Sequence, residues 1–184
     1  MKTKLISYSL ISTLCMSGTS ASAQSSQKQR INELEATLEC IEKSGKTDTF
    51  LLLSLARAYF VSGQFKKGRQ TYGKLITVYE KQRAGFGELY VPNIYGLWAN
   101  DENKHAQDFL AAERLMKKQL AIADKLLHSS PIRIKAHRNM VEFYIACSKE
   151  DEARREAVVL AELIGTSDPE MLLPLYNFQA CARG

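Results

Sequence analysis

His137 and Cys147 are the residue types from which a thiolate nucleophile and its general base are built. They stand ten residues apart in one helical stretch, a rise of about 15 Å, so the two side chains cannot meet. The signatures of other chemistries are missing too: the chain has no GxSxG, P-loop, GxGxxG or HExxH. Neighbouring acids such as Glu33 with Glu35 and Asp151 with Glu152 sit in charge-rich helical contexts. There they read as solvated faces or as partners of a helix N-terminal dipole. The expectation is a protein with no catalytic residue, no metal ligand set and no cofactor, hence not an enzyme.

The amino terminus reads as an address. Lys2 and Lys4 precede an uncharged, mostly apolar run over residues 5–16, and small residues then lead to Ala21-Ser22-Ala23. This is the order of a secretory signal peptide, with cleavage expected after Ala23 and a mature chain that starts at Gln24. The apolar run is about a dozen residues long, short of the roughly 20 that a bilayer span needs. No later segment approaches that length, so the mature chain is expected to lack a transmembrane segment and to be periplasmic or secreted. An uncleaved amino-terminal anchor is the alternative. A lipid anchor on Cys15 is disfavoured by Leu14, where a lipobox has a small residue.

Export changes how the cysteines are read. Cys15 leaves with the leader, and Cys40, Cys147 and Cys181 remain in a compartment where disulfides persist. Their number is odd, there is no CxxC, and His105, His128 and His137 stand apart from them, so no zinc site is spelled out. Thiols packed on helices as small hydrophobes are the plain reading.

Composition sets the scale. The chain has 184 residues, 45% hydrophobic and 24% charged, which suits one compact domain and excludes collagen-like, low-complexity and disordered classes. The formal charge of +5 includes two lysines of the leader, and the surplus that remains is too thin and scattered for nucleic acid.

The elements that would carry any site are helices throughout. Ile31, Leu34, Leu38 and Ile41 fall at helical spacing in a leading helix within residues 24–46. Thr47-Asp48 caps a second helix bearing Leu52, Leu55, Ala56 and Tyr59, which closes at Ser62-Gly63. A third runs from near Phe65 to about Arg83. Residues 84–105 are the least regular part, with Gly85, Gly87, Pro92 and Gly96, and a short helix is expected over 92–99. Helical spacing returns from Ala106 to Leu127, from Pro131 to Cys147 and from Glu150 to Ile164, and Ser167-Asp168-Pro169 would cap a last helix to about Ala182. The fold class is all-α.

Leu52, Leu55, Ala56, Tyr59, Gly63, Phe65, Gly68, Tyr72 and Leu75 together resemble the tetratricopeptide repeat, with Gly68 where that family usually has Ala. A second copy centres on Tyr144, with Met140 and Val141 before it and Ala153, Ala157 and Leu160 after it; Ser148 replaces the turn glycine. The stretch from Ala112 through Leu127 to Pro131 resembles kinesin-light-chain-type repeats. The resemblance implies a solenoid of about three antiparallel helix pairs over residues 47–182, the middle one eroded at 84–105, plus a closing helix. A single pair cannot bury its apolar stripe, whereas stacked pairs share a continuous core and leave a concave face. A helical bundle without repeats is the alternative.

In this family the first helix of each pair lines the concave face and binds peptides. Carried onto this chain, that face holds Phe50, Leu53, Ser54, Arg57, Lys135, Arg138, Asn139 and Glu142. Asn139 matches an Asn with which peptide-binding relatives hold a ligand backbone, a role an amide fills because it both donates and accepts. Arg57, Lys135 and Arg138 would offer cations to a carboxylate. Ser54 and Leu173 stand where a complete carboxylate clamp has Asn. Among the aromatics of the irregular segment, Tyr95 and Trp98 are candidates either for partner contact or for packing of the eroded repeat. Cys147 and Cys181 take equivalent places in the repeat, and a disulfide between them is the alternative reading of these thiols. Helix axes about 8 to 10 Å apart would have to converge before their Cα atoms reached bonding range. The implied function is an exported scaffold for a protein or peptide partner, or for assembly of an envelope complex. The alternative is a small exported helical enzyme or ligand binder with its site in residues 85–103.

Overall fold

The structure, a computed structural model, describes residues 17–81 and 86–166. Among these residues it is all-α, as expected. Seven α-helices and one π-helical turn follow in order: α1 Ser17–Lys43, α2 Thr49–Val61, α3 Phe65–Lys81, α4 Phe86–Asp101, the π turn Glu102–Ala106, α5 Phe109–Ala123, α6 Pro131–Ala146 and α7 Glu150–Ile164. No helix among the described residues is long and apolar enough to cross a membrane. The expected closing helix, Leu173 and Cys181 lie outside the described residues, and so does the bridge from Cys147 to Cys181.

Local chemistry sets the helix ends. The Asp48 carboxylate accepts from the Leu51 N–H at 3.0 Å, and Asp108 accepts from Ala111 N–H at 2.9 Å. Pro131 opens α6, where its missing N–H has no partner to lose. Glu150, Asp151 and Glu152 occupy the first turn of α7 and complement its dipole. Gly165 ends α7 at φ +73, a conformation that other residues adopt only with strain.

Each helix packs on the next in sequence, and α4 also lies against α6. The hairpin turns repeat one hydrogen-bond scheme. In the α2–α3 turn the Gln64 N–H reaches the Tyr59 carbonyl at 2.8 Å around left-handed Gly63, and in the α6–α7 turn Lys149 N–H reaches Tyr144 at 2.9 Å around left-handed Ser148. The α4–α5 turn has left-handed Gln107, and Asp108 N–H reaches back to Glu102 at 3.1 Å. That reach spans six residues where the others span five, so one extra residue has entered, and the π turn absorbs it. In every case the left-handed residue stands five before a buried small one: Gly68, Ala112 or Ala153.

The expectation for residues 84–105 is corrected: from Phe86 on, this stretch is helix continued by the π turn, not irregular chain with a short helix at 92–99. Val91, Ile94 and Ala99 are buried, and Pro92 inside the helix is itself fully buried. Packing thus outweighs the low helix propensity of Pro and Gly. The leading helix, expected within residues 24–46, is α1, which already begins at Ser17.

Two apolar clusters meet at α4. The first gathers Leu52, Leu55, Phe60, Tyr72, Leu75 and Ile94, and the second Ala99, Met116, Met140, Val141, Tyr144 and Leu160. Tyr95 and Trp98 touch both. Gly68 is where α3 crosses α2: a Cβ there would stand 2.6 Å from the Phe60 ring, so the usual Ala of the resembling family does not fit beneath this phenylalanine.

Candidate functional site: a groove between α4 and α6

Counting back from the equivalent turn bonds pairs three positions of α4 with three of α6. Asn93 matches Lys135, Leu97 matches Asn139, and Asn100 matches Glu142. All six line one groove of about 350 Å³, together with Gly96, Asn103, Met116 and Phe143. Spacings of three and four residues put each set on a single helix face, and the α4–α6 contact brings the faces together.

The groove is rich in amides. Asn93, Asn100, Asn103 and Asn139 border it over an apolar floor that includes Leu97, Met116 and Phe143. Asn93 Nδ2 donates to the Leu89 carbonyl at 3.2 Å, and Asn139 Nδ2 lies 3.5 Å from Oε1 of Gln119. Gln119 is almost fully buried at the position where the other two pairs have Leu75 and Leu160. It fits because Gly96 has no side chain: a Cβ there would come within 2.9 Å of the amide. Amides set at fixed places on two helices can pair with the N–H and C=O groups of an extended chain, and Lys135 and Glu142 add one charge of each sign.

Three of the expected concave-face residues, Lys135, Asn139 and Glu142, share this groove. Arg138 is exposed on α6 but is not part of its lining. Arg57 is also outside it; its Nε lies 3.9 Å from Oδ2 of Asp101. Tyr95 and Trp98 are half-buried and pack against both apolar clusters. Trp98 stacks on Tyr72 with ring centres 5.5 Å apart, and Lys118 sits over Tyr95 at 5.7 Å. Asn93, Asn100 and Asn103 were not legible as site residues, because the inserted residue at the π turn hides the register of α4. Three turns aligned with a one-residue gap would have revealed them.

On the side of α4 away from the groove, Asp101 and Glu102 are 2% and 1% exposed, which makes them the best-buried acids of the described chain. Arg69 holds Glu102 with two bonds of 2.8 and 2.7 Å and reaches Asp108 at 3.2 Å, while Trp98 Nε1 donates to Glu102 at 2.8 Å. The Tyr72 hydroxyl donates to Asp101 at 2.7 Å. Burial pushes the Asp101 carboxyl above its ordinary range, against the pull of the Tyr72 bond and the Arg57 charge. Burial also raises the Tyr72 phenol, with the Asp101 charge adding to it. These acids are tied into the packing and do not reach the groove. Glu35 corrects the expectation of a purely solvated acid: it is half-buried and accepts from Tyr59 Oη and from Lys67 Nζ, pinning α1 to α2 and α3.

Among the described residues no cluster of His, Cys, Asp and Glu could hold a metal ion. Compared with protein-family models, curated proteins and solved structures, the chain matches none of them.

Proposed function

We propose that this protein is an exported interaction scaffold of tetratricopeptide-like helix pairs that binds an extended segment of a protein partner in the α4–α6 groove. The observation that carries the reading is the convergence of equivalent positions from two helix pairs on one amide-bordered groove. The repeated turn geometry supports the stacked-pair arrangement. The order of residues 1–23 supports export, with the envelope or its surroundings as the place of action. The groove lies at the small end of ligand-site volumes, which run from about 300 to 1,000 Å³, so it suits a short stretch of chain. In this reading the protein is a binder and not an enzyme.

A photo-crosslinking residue in place of Asn100, used in the native cell envelope, would capture the partner segment. A synthetic copy of that segment would then be titrated into wild-type protein and into Asn139→Ala. One charged or neutral hydrogen bond lost should weaken binding about tenfold, or roughly 1.4 kcal/mol. Binding unchanged in both Asn139→Ala and Lys135→Ala would defeat the reading. So would capture of a small molecule alone, which favours the alternative of a ligand binder or enzyme using residues 85–103. Amino-terminal sequencing of the exported form should begin at Gln24.

A further inference from the structure

His137 faces the opposite side of α6 from Lys135, Asn139 and Glu142 and is 5% exposed. Its Nε2 is 2.9 Å from Oδ1 of Asp124, the residue that ends α5, and its Nδ1 bonds Oε1 of Glu156 on α7. A carboxylate can only accept, so each ring nitrogen has to donate, and an imidazole that donates from both is an imidazolium. A neutral ring would turn a lone pair toward one of the two acids.

We propose that His137 is a positioning residue whose charged ring clamps α6 between α5 and α7, and that loss of its proton loosens the α6 wall of the groove. The clamp stands on its own geometry, and its consequence for binding rests on the groove being the binding site. The ring is flanked by Asp124 on the α5 side, where Arg133 Nε also bonds Oδ1 at 3.1 Å, and by Glu156 on α7. Burial raises the Tyr144 phenol above its ordinary value, with the Glu113 and Glu156 charges adding to it, so it stays protonated throughout the range concerned.

Burial works against the charge on His137, and the bonds to Glu156 and Asp124 more than offset it, so its pKa stands above the ordinary value. The unfolded ring titrates near 6.5. The clamp's contribution is therefore complete below about pH 6.5 and is lost as pH rises through the higher folded value.

The test is an NMR titration of the imidazole Cε1–H signals of the purified protein from about pH 5 to pH 9. Assignment uses His105→Gln and His128→Gln, which leave the clamp intact. The expected result is a His137 midpoint above that of a free imidazole, which moves down in Glu156→Gln. The amide signals of Lys135, Asn139 and Glu142 should shift with the same midpoint. A His137 midpoint at or below about 6.5 overturns the proposal. So does a midpoint indifferent to Glu156→Gln, or α6 amides that do not follow the ring. None of these readouts needs a ligand, so failure of the groove as a binding site would leave them unchanged and show itself only in the peptide titration.

Discussion

The two halves of the molecule hold carboxylates in different ways: Asp101 and Glu102 are buried, whereas Asp124 is exposed and Glu156 half-buried. Around α4, Asp101 and Glu102 are held by Arg57, Arg69, Trp98 and Tyr72 through guanidinium, indole and phenol donors. Around α6, Asp124 and Glu156 converge on one histidine that can lose its charge. The cores differ in parallel. The first cluster packs large rings, with Phe60, Tyr72 and Trp98 in contact, while the α6–α7 seam uses Ala153 and Ala157 where α3 has Gly68 and Tyr72. The arginine pairs of the α2–α4 half do not depend on a histidine proton, whereas the clamp around His137 in the α6–α7 half does.

The sharpest way to break this comparison is Arg69→Met. It leaves the Glu102 carboxylate buried without its cation and should cost about 3 to 5 kcal/mol in urea unfolding. A loss under about 1 kcal/mol would mean that the arginine does not fasten this half. Gly68→Ala should cost about 1 to 3 kcal/mol by pressing on Phe60, even though Ala is the better helix former by about 1 kcal/mol. Adding Phe60→Leu should recover part of that loss, whereas Ala153→Gly in the other half should cost only about 1 kcal/mol through propensity.

Asp101→Asn should act in the opposite direction to Arg69→Met. Because the folded carboxyl has a raised pKa, stability falls as pH rises from the unfolded value of about 3.9 through the folded one. Asparagine still accepts from Tyr72, so the variant should match or exceed wild type by up to about 1 kcal/mol at neutral pH. Thermal unfolding at several pH values should show that the downward step has gone. The smallest effect belongs to Lys43→Ala: its pair with Glu39 is exposed on both sides, and melting should change by less than about 0.5 kcal/mol.

Most of the helices were legible because their signals are local. The spacing of Leu52, Leu55, Ala56 and Tyr59, the cap at Asp48, the proline at 131 and the glycine at 165 all act within a turn or two of chain, and the structure follows them. The α4 helix was not legible in the same way. Pro92 and Gly96 oppose a helix locally, and what overrides them is burial against α3, α5 and α6. The site divided along the same line. Asn139, Lys135 and Glu142 follow from the register of a regular repeat, whereas Asn93, Asn100 and Asn103 depend on a register shifted by one residue at the π turn.

The amino-acid sequence by itself determined that this chain is helical, where most of its helices start and stop, and that small residues mark the crossings between them. Only the packed chain decided which acids meet arginine and which meet histidine, and which two helix faces close on a groove. Those outcomes depend on contacts between residues such as Asp124 with His137, 13 positions apart in sequence, and Arg69 with Asp108, 39 apart. No local propensity can encode a distance that exists only once the chain has packed.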